Sequence, residues 1–286
     1  MREYIIMADV NADTDPDYIR REDLAILPQY YHFNDGKMYG DEEVLTPAQF
    51  YGRLDKERAY SSGCNPERVR GIMEDALKKD LDMIILMASS ECSGSYSTVC
   101  REAEALLPNY PGARIHVVDS YLECAPIGLL VKHANEMRKA GATFDEVVAE
   151  IEEKKKYCDV YFLVDDLKYL VRGGRLNPIS GAVGTMLSIK PILHFEEGRI
   201  VPLVKCRGRQ MGKKTMIRNL KEMKLDKRLF AVVNTMCEEE AREYQAELEK
   251  ELDLKADYIS EVSLIIGTHT GPNAIGVAFC RLPDEE

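Results

Sequence analysis

The chain has 286 residues, 45% of them hydrophobic and 30% charged, with a formal net charge of -11. That length points to two domains, and that apolar share can build cores with area left over to line a ligand tunnel. The acidic balance speaks against nucleic acid or an anionic membrane surface as the main partner, because both require a basic footprint.

Tyr4–Ala8, ending in Asp9, reads as a buried strand with a polar tip. Ile26–Phe33 is a second extended, aromatic-rich stretch, closed by a turn at Asn34-Asp35-Gly36. Helices are predicted after Thr46-Pro47 and after Asn65-Pro66, where a capping residue precedes apolar positions at helical spacing. Asp82–Ala88 is a buried strand, Tyr96–Leu107 a helix, Arg114–Asp119 a strand and Gly128–Ala140 a helix. This alternation implies a parallel sheet with helices on its faces. Phe144–Lys156 is a charged amphipathic helix that bridges to a second domain. Beyond it, strands are predicted at Val160–Val164, Ile189–Phe195, Ile200–Cys206, Leu229–Thr235, Asp257–Ser260 and Ala274–Cys280. Helices fall at Asp166–Val171, Ile179–Leu187, Gly212–Lys224 and Glu238–Leu252. Glu196-Glu197-Gly198 joins two strands directly, so part of this sheet is antiparallel. The expected fold class is α/β. An N-terminal parallel-sheet three-layer α/β domain covers 1–155, and a C-terminal α/β domain with a mixed, partly antiparallel sheet covers 156–286.

Eight cysteines (Cys64, Cys92, Cys100, Cys124, Cys158, Cys206, Cys237 and Cys280) sit within apolar or helical runs. They form no C-x-x-C pair and no zinc-like spacing with histidine, and they are read as buried reduced thiols. The first residues lack the long apolar stretch of a signal peptide, and no window approaches the roughly 20 apolar residues of a membrane span. A soluble cytoplasmic protein is expected.

Four segments carry polar chemistry. Ser89-Ser90-Glu91-Cys92-Ser93-Gly94-Ser95 runs from a parallel strand into a helix, where free amides and hydroxyls hold an anion or simply cap the helix. Ser61-Ser62-Gly63 is a similar cluster, and Asp119-Ser120 ends a third strand on the same rim. Arg172-Gly173-Gly174-Arg175 offers Arg175 as a carboxylate or phosphate donor, or a helix C-cap with a surface arginine. Lys205-Cys206-Arg207-Gly208-Arg209 is a local cation cluster in an acidic chain, or a solvated strand end. Lys190 is a lone charge in an apolar strand that needs a partner if buried. His269 lies between two threonines in a Gly/Pro-rich loop, Ile265–Pro272. Walker, G-x-S-x-G, H-E-x-x-H and G-x-G-x-x-G motifs are absent, so no nucleotide site or cofactor is expected.

Taken in order, these segments resemble the DegV family over nearly the whole chain. The matching positions are Asp9, Ser61-Ser62, Ser89–Tyr96, Val118-Asp119-Ser120, Gly173-Gly174-Arg175, Ile189–Leu193, Lys205-x-Arg207 and Gly267-x-His269-Thr270-Gly271-Pro272. Val10, Ser61, Glu91-Cys92, Pro126 and Asn273 depart from the usual residues there. The resemblance implies an acyl carrier without its own catalytic machinery. One long-chain fatty acid would lie in a tunnel between the domains. Its carboxylate would be held by Ser61 and Ser93, with the Gly94 amide and His269 adjacent. Arg175 and Arg207 would lie near the mouth, facing phosphate or a separate ATP-dependent fatty acid kinase that forms an acyl phosphate. Glu91 is expected to face solvent. The competing readings are a cysteine–histidine hydrolase using Cys92 at its helix N-terminus with His269 as base, and a regulatory or scaffold protein whose lipid is structural.

Overall fold

The computed structural model describes residues 2–177 and 189–283; the helix expected over 179–187 lies outside them. The chain opens with β1 (Tyr4–Asp9), whose Asp9 side chain accepts from the Asn11 amide and so caps a 3-10 turn over Val10–Ala12. A helix not anticipated from sequence follows, α1 (Pro16–Glu22), capped by Asp15. The extended stretch predicted over Ile26–Phe33 is broken in two, as β2 (Ala25–Leu27) and β3 (Tyr30–His32). Pro28 stands at the break and has no N–H to give either ladder. Next come β4 (Met38–Tyr39) and α2 (Pro47–Leu54), started by a reciprocal Thr46–Gln49 capping box. They are followed by β5 (Tyr60–Ser62), α3 (Pro66–Lys78), β6 (Asp82–Met87), α4 (Ser95–Leu106), β7 (Ile115–Asp119), α5 (Ala125–Lys139) and α6 (Phe144–Lys154). The second half contains β8 (Cys158–Leu163), α7 (Lys168–Arg172), β9 (Ile189–Glu196), β10 (Arg199–Arg207), α8 (Arg209–Lys221) and β11 (Leu225–Asn234). It closes with α9 (Glu238–Leu252), β12 (Tyr258–Glu261), α10 (Leu264–Thr270) and β13 (Ile275–Arg281).

β2-β1-β6-β7 form a wholly parallel sheet. β10-β9-β8-β13-β11-β12 form a mixed sheet in which only β11 and β12 run parallel. β4-β3-β5 make a small antiparallel sheet. Successive side chains of a strand face opposite ways, and each large sheet uses this to serve two cores. On β6, Met83 and Ile85 pack toward α3 and α4, while Ile84 and Leu86 face α5. On β11, Phe230 and Val232 pack toward α8 and α9, while Ala231 and Val233 face inward. α5 touches both large sheets, so one continuous core runs from Ile6 and Leu86 through Leu129 and Leu130 to Val160 and Ala278. Each fully buried leucine or isoleucine there contributes roughly 1.5–3 kcal/mol.

Two expectations are corrected. Cys158 and Cys280 are not free thiols: they face each other across β8 and β13, 122 residues apart in sequence, and form a disulfide. Only the antiparallel register brings them together. The other six cysteines are free. The segment read as a Gly/Pro-rich loop is helical from Leu264 to Thr270, with the Ser263 hydroxyl accepting from the Ile266 amide at its start. Lys190 does find a partner, donating to the Asp165 carbonyl. No helix among the described residues is long and apolar enough to cross a membrane.

Candidate functional site

Parallel strands end on one rim, and their following loops converge there. The rim here carries Asp9 and its turn, the Ser89–Gly94 loop between β6 and α4, and the Ser120–Cys124 loop after β7. β5 and α10 bring Ser61 and His269 to it, with Ser61 Oγ 2.8 Å from His269 Nε2.

A cavity of about 780 Å³, its open mouth included, lies between this rim and the inner face of the mixed sheet. One wall is apolar, built from Val160, Phe162, Phe195, Ile200 and Val233. Ser61, Ser93, Arg175 and His269 line the same cavity as a polar group. A second depression, about 440 Å³, shares Ser61, Arg175 and His269 and continues past Arg58 and Arg172. The polar group therefore stands where the cavity meets an arginine-flanked opening.

His269 is held as a neutral ring. Burial pushes its pKa down to about 3, helped by the positive charges of Arg175 and Arg58. Its Nδ1 is buried and has no hydrogen-bond partner among the described residues. The ring packs onto Gly173 so closely that a Cβ there would sit 2.1 Å from Nδ1. The glycine of the Arg172–Arg175 segment is thus required by His269, an explanation neither sequence reading of that segment contained. Arg175 donates through Nε and Nη2 to the Cys92 carbonyl at 3.1 and 3.0 Å, and also to the Gly173 carbonyl. It ties the α7 turn to the β6–α4 loop while its guanidinium lines the cavity.

Ser93 Oγ donates to Ser95 Oγ at 3.0 Å and accepts from the Ser95 amide at 3.2 Å, so it starts α4 while facing the cavity. Gly94 is the N-cap residue of α4 and is exposed, outside the cavity lining. Arg207 is exposed at the end of β10 and also lies outside the lining. The cation cluster around it does not converge: Lys205 is exposed, and Arg209 pairs with Glu240 at 2.9 Å. Glu91 is turned outward and donor-paired by Arg199 Nε at 2.8 Å.

The β9–β10 turn closes over the rim. Glu197 and Gly198 both have positive φ, as a tight hairpin with right-handed twist requires. The Gly198 carbonyl accepts from Ser89 Oγ at 2.8 Å and from the Cys92 thiol at 3.3 Å. A Cβ at Gly198 would lie 2.6 Å from Ser89 Oγ. Burial pushes the Cys92 thiol up to about 12, with Glu123 adding to the rise. The lowered thiol pKa that the competing hydrolase reading needs is therefore not found at this helix start, where desolvation is the largest influence. His269 Nε2 is engaged with Ser61 rather than Cys92.

Three acids stand beside the cavity, Asp9 and Asp13 buried and Glu123 partly buried, and were not singled out as site residues from sequence. Asp9 accepts from the Asn11 amide at 2.9 Å and from Gln29 Nε2 at 2.7 Å, yet burial still pushes it up to about 6. Burial pushes Asp13 up to about 7, although it accepts from the Ser263 amide at 2.7 Å. Glu123 lines the cavity, and burial, with Asp9 and Asp13 nearby, raises it well above the usual carboxylate range. A lone glutamate in the apolar run Leu122-Glu123-Cys124-Ala125-Pro126 was the available signal. Asn11, Gln29 and Arg58 carried none, since each depends on neighbours distant in sequence.

The whole described fold also matches known proteins. The family model described as "Uncharacterised protein, DegV family" matches residues 4–282. A DegV domain-containing protein of Clostridium perfringens is 30% identical over 284 residues, covering 98% of each chain. A protein of Thermotoga maritima named fatty acid-binding protein is 30% identical over 285 residues, covering 95% of each. Among solved structures, that of DegV from Bacillus subtilis, described as a fatty acid binding protein, superposes with a TM-score of 0.86 at 27% identity, covering 99% of this chain and 100% of that one.

Proposed function

The chain belongs to the DegV family, and on that premise we propose that it holds one long-chain fatty acid in the cavity and presents the carboxyl group to a separate ATP-dependent kinase. The observation that carries this reading is the Ser61–His269 pair, with Ser93, standing at the open end of a cavity whose far wall is apolar. Hydroxyls and a neutral imidazole hold a carboxylate by hydrogen bonding, and Arg175 supplies the balancing charge. The apolar wall takes the tail. Burial at about 0.8 kcal/mol per CH₂ makes a sixteen-carbon chain worth on the order of 10 kcal/mol before ordering losses, so the tail supplies affinity and the cradle fixes orientation.

Arg58 and Arg172 at the opening suit the phosphate that a kinase would transfer, giving an acyl phosphate that feeds phospholipid synthesis in the cytoplasm. The acyl-phosphate bond hydrolyses readily in water, and a cavity that excludes water protects it. The raised Cys92 thiol disfavours the hydrolase alternative, because the thiolate is the nucleophile. A lipid that binds but is never phosphorylated would favour the scaffold reading.

Denaturing mass spectrometry of protein purified from bacteria tests the proposal. The expected result is a co-eluting fatty acid, with uptake of added palmitate or oleate. Protein that carries none and takes up none overturns it. Ser93→Ala and His269→Ala are expected to weaken uptake and phosphorylation by a cognate kinase; if both leave them unchanged, the assigned carboxylate cradle is wrong.

A further inference from the structure

Two cavity-lining side chains hold a buried polar atom without a hydrogen-bond partner among the described residues: His269 Nδ1 and Glu123 Oε2. The first belongs to the carboxylate cradle. The second is unused by anything described so far. Other polar liners are satisfied within the protein. Asn234 Nδ2 donates to the Ser260 carbonyl and its Oδ1 accepts from the Cys237 amide. Thr235 Oγ1 donates to the Gly271 carbonyl and accepts from the Ala274 amide.

Asn11 lines the same cavity and lies close enough to Glu123 to favour its charged form slightly. Asn11 is fixed in turn by Ser263, whose hydroxyl donates to Asn11 Oδ1 at 3.0 Å. Ser263 begins α10 and His269 lies in its last turn. Six residues of helix span about 9 Å, so the Asn11 anchor is well separated from the Ser61–His269 cradle. Arg175 also attracts the Glu123 charge, but burial and the neighbouring acids outweigh it. In its protonated form, which these influences favour, this carboxyl offers one donor and an acceptor.

We propose that Glu123 and Asn11 form a second polar station in the cavity, and that the chain selects acyl ligands bearing a hydroxyl or oxo group part-way along the tail. This rests on the fatty-acid reading and deepens it. A plain methylene tail leaves Glu123 Oε2 desolvated and unpaired, whereas a mid-chain oxygen pairs with it. The cradle sets the carboxyl end, so the preferred position of the oxygen is a fixed number of carbons from that end.

The test measures binding of stearic acid and of a series of stearic acids carrying one hydroxyl at successive carbons, to the wild type, Glu123→Gln and Glu123→Met. The wild type is expected to favour one mid-chain position over stearic acid by about tenfold, the size of one recovered buried hydrogen bond. Glu123→Gln, which keeps a donor, retains most of that preference. Glu123→Met tightens stearic acid, weakens the hydroxylated ligand, and brings the ratio near one. A wild type that binds every member equally, or a preference that survives Glu123→Met, overturns the second station and leaves the fatty-acid reading standing. Binding of no member overturns both. If Glu123→Met does not fold, the position dependence in the wild type still decides the matter.

Discussion

The parallel sheet meets the cavity with the ends of its strands, whereas the mixed sheet meets it with a face. Strand ends lead into loops, and the loops after β1, β6 and β7 carry Asn11, Ser93 and Glu123. A sheet face presents every second side chain, and Val160 and Phe162 on β8, with Phe195 and Val233, make it apolar. The same ligand is thereby served by two kinds of architecture. One supplies discrete polar contacts that depend on loop positions. The other supplies area that depends on strand register. Errors in the two should have different signatures: loop changes should alter recognition with little change in stability, and sheet changes should alter stability first.

The largest effect is expected in the mixed sheet, at the Cys158–Cys280 bond. Closing a loop of 122 residues restricts the unfolded chain and should stabilise the fold by about 5 kcal/mol on the chain-entropy account. Urea unfolding with and without reductant measures this, and coincident midpoints would show that the bond does not form in solution.

An intermediate effect is expected at the rim, from its buried acids. Asp13 titrates at about 7 in the folded chain, above its unfolded value of 3.8. The folded state therefore keeps a proton that the unfolded state has already released, and the associated stability is lost as pH rises from about 4 to 7. Asp9, at about 6, acts the same way over a narrower window. His269 acts oppositely: its folded value of about 3 lies below 6.5, so its contribution is present above pH 6.5 and lost as pH falls toward 3. Asp13→Asn, which can still accept from the Ser263 amide, should gain on the order of 2 kcal/mol over the wild type on moving from pH 5 to pH 8. Parallel stability–pH curves for the two proteins would refute the assignment.

The smallest effect on stability, and the clearest on recognition, is expected at Gly173. Gly173→Ala pushes a methyl into the His269 ring and should weaken fatty-acid binding about tenfold, close to the effect of removing one buried hydrogen bond. Calorimetric titration with palmitate checks this. Unchanged affinity would mean that His269 moves freely without consequence and is not part of the cradle.

Much of the fold was legible along the chain because its signals are local. α9 matches its predicted span at both ends, since a run of charge around Ala241, Tyr244 and Leu248 has one helical stripe. β6 was evident as six consecutive buried residues. α10 was not evident: Gly267, two threonines and Pro272 make a poor helix, and it is packing against β3, α2 and α7 that holds it. The candidate site divides the same way. Ser61, Ser93, Arg175 and His269 stood in recognisable segments, whereas Glu123, Asn11 and Arg58 acquire meaning only from neighbours in space.

What the amino-acid order determined by itself was the set of strands and capped helices and the alternation that makes the first sheet parallel, because periodicity and caps act over a few residues. Only the tertiary structure decided which cysteines pair, which hydroxyl meets His269, and that a glutamate in an apolar run turns a buried oxygen, unpartnered among the described residues, into the cavity beside two aspartates. Those outcomes depend on register and burial between segments far apart in the chain, and desolvation, which favours the neutral forms of Cys92, His269 and Glu123, exists only once those segments have closed around them.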